Sequence, residues 1–385
     1  MEGNESMKPL SPLLYTKRNK RKIFASINAV TLAVAFLYIL YGFTSSILSM
    51  EERAHVLFYK KAASISSFEQ KPIDKSLIED ISKNKNVDRI VASNFNYGIR
   101  FEIPGASDSA VAVPLRSADV DYFMKAQGIK LIQGNLPKEE SQEVAVNKDI
   151  AKNRKLKIGD KIGDSINKFD SIPGEYLVVG ILDSEALTSI LSANDSILPD
   201  YKNEEIVLSR SFYVFPKAGK KASMDAYISK VDKTRVVVAT EETSNKAFER
   251  KLGALKVLDV ISILSIIVMV VTVGSTKYAQ YINRKEELGL LNALGYNKRN
   301  ILFRTFKEVV ITNAIGFILG IGLGVIMQLF NSKRLWEPLG VRGFLFTTKG
   351  FVVAILVPLF TILFSIIPIN NLINKLDPIK MIEKN

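Results

Sequence analysis

Side chains able to do chemistry are few in this chain, and they do not converge. His55 is the single histidine of 385 residues, and cysteine is absent. A lone imidazole without thiols is a poor start for a zinc site or a Ser–His couple, so a structural or solvent-exposed His55 is expected. Glu139, Glu140 and Glu143 stand close together, in a stretch that reads as a solvated loop. No HExxH occurs, and no GxxxxGK[ST] phosphate loop. Gly219-Lys220-Lys221 lacks the preceding glycine frame and reads as a turn. The chain is therefore expected to be no enzyme, with no catalytic, cofactor-binding or metal-binding residues of its own.

The pattern that does stand out is NRKEELGLLNALGYNKRNILFRTFKE, residues 283–308, with six Lys/Arg around a leucine-rich centre. Leu288, Leu291 and Leu294 recur every three residues, with Leu290 and Ala293 beside them, which predicts a helix of two to three turns. Gly295 is the residue expected where such a helix stops with positive φ, and Asn297 can cap the next one. Such a helix, apolar on one side, suits either lipid headgroups or a groove on another protein.

The elements on either side of this turn are membrane-like. Ile23–Met50, Val260–Thr276, Val309–Phe330 and Phe351–Leu372 carry no charge. A bilayer core of about 30 Å needs roughly 20 apolar helical residues, so all four are transmembrane candidates. The second reaches full length only by taking in Val257, Leu258 and Asp259. The first is too long, and lacks the small-residue cleavage site, for a removable signal peptide. The formal net charge of +13 would suit nucleic acid, but the basic residues flank the apolar runs instead. Lys8, Lys17, Arg18 and Lys20–Lys22 precede the first run, and Lys277, Arg284, Lys285, Lys298, Arg299, Arg304 and Lys307 lie between the second and third. The positive-inside rule makes both regions cytoplasmic. The expected order is a cytoplasmic segment 1–22, helix 23–50, an extracytoplasmic domain 51–250 and helix 257–277. A cytoplasmic loop 278–308, helix 309–330, a short outer loop 331–349, helix 350–372 and a cytoplasmic tail 373–385 follow. The protein is thus expected to be multi-pass in the cell membrane with both termini cytoplasmic, in contact with lipid and not nucleic acid. Lys333, Arg334, Arg342 and Lys349 sit awkwardly in the outer loop.

The fold class expected is an α-helical membrane protein of four transmembrane helices, with a mixed α/β extracytoplasmic domain between helices 1 and 2. Within that domain Val87–Ala92, Tyr97–Ile103, Ser109–Leu115, Glu143–Val146, Tyr176–Leu182, Glu205–Leu208, Phe212–Pro216 and Arg235–Ala239 read as strands. Asp119–Gln127, a segment capped at Asn147 and the run from Glu241 read as helices. Without cysteines the domain must hold together by its core alone, which about 200 residues can supply. Gly316, Gly320 and Gly324 repeat every four residues in the third span and permit close helix packing, within the protomer or across a dimer seam. Pro358 and Pro368 are expected to kink or end the last span.

The 283–308 stretch, with Glu286, Glu287, Ala293-Leu294-Gly295 and Glu308, resembles the segment after the second span of FtsX/MacB-type ABC transporter permeases. YTKRNKRKIFASINAVTLAVAF resembles their N-terminal entry. ADVDYFMKAQGIKLIQGN, EVAVNKDIAKNRKLKIGDKI and YLVVGIL together resemble the MacB-type periplasmic core domain, and KLDPIKMIEKN their Asp-Pro tail. The resemblance implies that the short helix is a coupling helix seated on a separate ABC ATPase subunit. Its docking residues would be Arg284, Glu286, Glu287, Leu290, Leu291, Ala293, Leu294 and Gly295. ATP and Mg would belong to that partner, because only 22 residues precede the first span. A second permease copy, as a homodimer or paralogous heterodimer, is implied, and an adaptor protein is a further partner. The implied function is ATP-driven movement of the outer domain, for export or extrusion of peptides, amphiphilic toxins or lipoproteins. The alternative is an FtsX-like mechanotransmission module that regulates a cell-wall hydrolase or sensor kinase.

Overall fold

The computed structural model describes residues 20–375, apart from 69–70, 95, 232–235 and 254–255. The segment 1–19 and the tail from 376, including the Asp377-Pro378 pair, lie outside the described residues, as does Arg235 of the last expected strand. In chain order come α1 (Lys20–His55), β1 (Ala63–Ser67), α2 (Lys75–Ser82), β2 (Val87–Ala92), β3 (Gly98–Ile103) and β4 (Ala106–Leu115). Next are α3 (Ser117–Gln127), β5 (Lys130–Gly134), β6 (Glu143–Asn147), α4 (Lys148–Arg154), β7 (Lys161–Ile162), β8 (Tyr176–Asp183) and β9 (Ser189–Ser192). Then follow α5 (Glu204–Leu208), β10 (Ser211–Pro216), α6 (Lys221–Ile228), β11 (Val236–Ala239) and α7 (Glu241–Leu252). The rest is helical: α8 (Lys256–Ile282), α9 (Lys285–Ala293), α10 (Lys298–Asn331) and α11 (Thr348–Asn374). The chain forms two compact units, one of Ser46–Ala254 with Lys333–Arg342, the other of the remainder.

The inserted unit holds two sheets. One is a four-stranded antiparallel sheet in the order β11-β1-β10-β2. The other has seven strands in the order β3-β4-β9-β6-β8-β5, with β7 on β8, and it pairs β4 with β9 and β6 with β8 in parallel. Val91, Tyr213 and Phe215 of the first sheet share one core with Val113, Leu115, Ala145, Leu182 and Ile190 of the second. Aromatic rings fill that seam: Phe58 lies 4.7 Å from Tyr213, and Phe123 stands edge-on to Phe215 at 5.9 Å. Hydrophobic burial therefore supplies the stability that the missing cysteines cannot. The structure corrects one expectation, because Glu205–Leu208 is helical, in α5. The Asn203 side chain accepts from the Ile206 N–H, and Glu204 and Glu205 occupy the first turn. A capped N-terminus with two acids favours helix locally over the weak strand preference of Ile206-Val207.

Among the described residues four helices are long and apolar enough to cross a membrane. The glycine repeat packs within the protomer, against α1. A Cβ on Gly316 would fall 2.7 Å from Val30 Cβ, one on Gly320 2.7 Å from Val34 Cβ, and one on Gly324 2.7 Å from a Tyr38 ring carbon. Val30, Val34 and Tyr38 are themselves four apart, so two matched stripes interlock. Hydrogen bonds reinforce the seam: Thr31 Oγ1 donates to Gly316 O at 3.3 Å, and Gln328 Nε2 to Ile39 O at 2.9 Å. Asp259 accepts from the Tyr41 hydroxyl and from Lys349 Nζ, both at 3.0 Å, so its carboxylate joins three helices. Pro358 and Pro368 lie inside α11 without ending it.

Candidate functional site

The 283–308 turn is built from three pieces. α8 ends at Ile282, α9 is nine residues long, and α10 starts at Lys298. Gly295 closes α9 at φ 90°, where nothing lies within 4 Å of an added Cβ. Glycine is thus required there by backbone conformation and not by space. Asn297 then caps α10, its side chain accepting from the Arg299 N–H at 3.2 Å.

Beneath α9 lies a buried ionic brace. Arg284 donates to Glu308 at 2.8 Å and to both oxygens of Glu287 at 3.0 and 3.1 Å. Arg304 donates to Glu308 at 3.2 Å and to Glu287 at 3.1 Å. The Tyr281 hydroxyl adds a third bond to Glu308 at 3.0 Å, and its ring lies under the Arg284 guanidinium. Arg284, Arg304 and Glu308 are all less than 10% exposed. The two arginines face two carboxylates, each multiply bonded, the condition under which buried ion pairs hold, and the buried Lys277 ammonium, bonded to Thr312, adds a third cation near Glu308. Burial by itself pushes the Glu287 carboxyl up, but Arg284 and Arg304 overcome it and hold it below the usual value. The Arg284 guanidinium is held further into its charged form by Glu287 and Glu308, against the effect of burial. Apolar packing finishes the seat: Leu288 and Leu291 join Tyr281, Ile301, Val309, Ile369 and Ile373 in one core.

Two of the eight expected docking residues thereby change role. Arg284 and Leu291 are turned into the protomer, so they fix the helix and present nothing outward. Leu290 and Leu294 are 60% and 71% exposed, and Glu286, Ala293 and Gly295 are exposed with them. Glu287 stands on the rim, its side chain 42% exposed and bonded inward. Arg304, Glu308 and Tyr281 complete the brace without having been read as a unit in the sequence. The available signal was that Arg304 and Glu308 share a helix face four residues apart. A groove of about 500 Å³ opens at the start of α10, lined by Arg299, Asn300, Leu302, Phe303, Phe306 and Ile366.

The inserted unit has an ionic network of its own, in which Arg89 and Arg116 both bond the buried Asp119 and Arg116 also pairs with Glu204. Glu139, Glu140 and Glu143 bond separate partners: the Ser117 N–H, the Tyr201 hydroxyl with Lys202, and the Lys138 N–H. His55 Nε2 lies 2.8 Å from Asp108, with Glu51 nearby, a set that could in principle ligate a metal. The Lys251 ammonium bonds both carboxylates, however, so the protein supplies its own cation there. A cavity of about 280 Å³ beside His55 is walled by Phe58, Tyr59, Tyr97 and Tyr213.

Four membrane-length helices among the described residues, an α/β domain inserted after the first, and a braced short helix between the second and third describe a multi-pass membrane protein. Comparison with known families agrees. The MacB-like periplasmic core domain matches residues 23–255, more than half of the chain, and the FtsX-like permease C-terminal domain matches residues 260–376. The chain belongs to the FtsX/MacB-type permease family, the membrane component of ABC transporters. No curated protein matches it. Among solved structures, the periplasmic region of MacB from Actinobacillus actinomycetemcomitans is 14% identical, covering 50% of this chain and 94% of that one at a TM-score of 0.30. A domain of a permease protein described as putative, from Porphyromonas gingivalis, is 12% identical, covering 47% and 90% at 0.27. The extracellular domain of the noncanonic ABC-type transporter YknZ from Gram-positive bacteria is 10% identical, covering 43% and 87% at 0.26.

Proposed function

We propose that this chain is the permease subunit of a split ABC transporter, with α9 as the coupling helix on which a separate ATPase subunit docks. The observation that carries the reading is a nine-residue helix held rigidly from behind, by four charges and a core, while Leu290, Ala293 and Leu294 face outward. A helix that must transmit force needs a stiff seat and a free apolar face, and a passive turn needs neither. The lysine and arginine distribution supports an orientation with α9 and both termini in the cytoplasm. The basic residues Lys333, Arg334 and Arg342 fit that orientation too, because they lie in the same compact unit as the inserted domain. Both stretches then lie on one side of the membrane.

In this reading two permease copies sit over two ATPases, and ATP-driven closure moves the inserted domains outside. The cargo is a peptide, amphiphilic toxin or lipoprotein handled outside the spans. A mechanical regulator of a wall hydrolase or sensor kinase would use the same coupling. The purified chain alone is expected to hydrolyse no ATP. The test is affinity co-purification of the ATPase with single variants. Leu294→Asp is expected to abolish ATPase binding while still inserting in the membrane, since it places an unpaired charge in the interface. Retention of the ATPase at the wild-type level would show that this face is not the docking surface and that α9 rests on lipid.

A further inference from the structure

The chain enters or leaves the inserted unit at three places: the end of α1, the passage from α7 to α8, and the loop between α10 and α11. These attachments are built very differently. At the end of α1, Met50, Arg53, Ala54 and Val56 are all buried. Arg53 donates to Asp149 on α4 at 2.6 Å and to the carbonyl of Glu185 at 2.8 Å. The loop 333–342 is gripped by the same short helix. Asn153 Nδ2 donates to Leu339 O at 2.8 Å and to Glu102 O at 2.7 Å, and its Oδ1 accepts from the Glu102 N–H. Gly340 adopts φ 64° so close to α4 that an added Cβ would fall 2.2 Å from the Asp149 carbonyl oxygen. Lys152 pairs with Glu337 at 3.6 Å. One seven-residue helix thus holds both the end of α1 and the 333–342 loop.

α7 has no such seat. Thr240 and Thr243 cap its N-terminus in a mutual capping box, but no described residue from Glu241 to Lys251 is buried. Its far end is held by the Lys251 ammonium, whose side chain is 52% exposed, bonded to Glu51 and Asp108. The lysine end of these pairs is open to solvent while Glu51 and Asp108 are 8% and 21% exposed, so the catch is a solvent-facing ammonium on two largely buried carboxylates, weakened by salt from its open side. A helix whose described residues are at most half-buried, Phe248 among them, opens at lower cost than one seated in a core.

We infer that the inserted domain has one fixed mount and one releasable arm: α4 locks the end of α1 and the 333–342 loop into a single body, whereas α7 is a latch that opens at Lys251. With the transporter reading above, α7 would be the segment that lets go of the domain, and Lys251 with Glu51, Asp108 and His55 would form the catch.

Hydrogen exchange on the full chain in lipid nanodiscs tests the asymmetry without any ATPase, so it stands whether or not the transporter reading does. Amides of 245–251 should exchange at least about 100-fold faster than those of 150–154 and 339–341, the difference between local fraying and a locked element. Lys251→Gln should speed exchange in α7 further and leave α4 unchanged. Equal protection of α7 and α4, whether from the domain or from a second copy covering α7, would overturn the inference. So would an α7 indifferent to Lys251→Gln. The natural absence of cysteine allows a second arm in the assembled complex. A short thiol-bridging reagent across Lys251→Cys and Asp108→Cys should stop coupled turnover until reduced. The same bridge across Lys152→Cys and Glu337→Cys should leave coupled turnover intact. The opposite pattern would place the moving part at α4.

Discussion

Single side chains in the 283–308 turn divide into those that hold α9 and those it offers. Glu308 is the pivot of the first group, with three donors on one buried carboxylate. Glu308→Gln removes one of the two carboxylates that Arg284 and Arg304 share and leaves both buried cations on Glu287 alone; breaking a buried pair costs up to about 3–5 kcal/mol, and the remaining pairs to Glu287 should keep the loss toward the lower end. The expected outcome is a lower melting temperature in detergent together with faster proteolysis of 283–297, with the inserted domain unaffected. Glu287 sets the pH behaviour of the same brace. Its folded carboxyl is held below the unfolded value, so its contribution is complete above the unfolded carboxylate pKa and is lost as pH falls through the depressed folded one. Protection of α9 should therefore persist into mildly acidic solution and fail only under stronger acid, which hydrogen exchange across a pH series would read. A loss of protection on the alkaline side near neutrality would contradict this assignment.

At the scale of elements, the α1–α10 seam shows how small residues decide which helices meet. Gly320 packs its Cα on Val34 and on the Thr31 carbonyl, and an added Cβ would fall 2.7 and 2.8 Å from them. Neither a β-branched side chain nor a backbone oxygen can swing aside. Gly320→Val should therefore destabilise by about 1–3 kcal/mol or more through overpacking. Gly322, two residues on, has nothing within 4 Å of the equivalent position, so Gly322→Ala should be neutral or slightly stabilising. Thermal denaturation in matched detergent compares the two, and equal effects would mean the seam is not close-packed. α9 makes the complementary point. Its leucine periodicity was legible, but the inward residues Leu288 and Leu291 and the outward ones Leu290 and Leu294 could be told apart only once Ile301, Val309, Ile369 and Ile373 were in place.

For the whole molecule, the loop 333–342 and the inserted domain form one compact unit, which brings together two stretches far apart in the sequence. The topology follows as a test. Single cysteines at Ser141 and Asn297, in a chain that has none, should react differently with an impermeant thiol reagent on intact cells. Ser141→Cys should label and Asn297→Cys should not, and the reverse pattern would invert the orientation.

The amino-acid sequence by itself determined the four spans, the inserted α/β domain and the short helix between spans two and three. Each rests on local chemistry: uncharged runs of bilayer length, alternating strands, a leucine repeat ended by glycine. The choice of helix over strand at Glu204–Leu208 was also local, but it hung on one Asn203 cap that a β-branched pair obscured. What only the tertiary structure decided are the pairings between residues far apart in the chain. Glu308 meeting Arg284, Gly320 meeting Val34, and Gly340 meeting Asp149 depend on which helix faces lie together, and no local spacing encodes that. The difference between the buried end of α1 and the bare α7 belongs here too, because burial is a property of what surrounds a helix and not of its own residues.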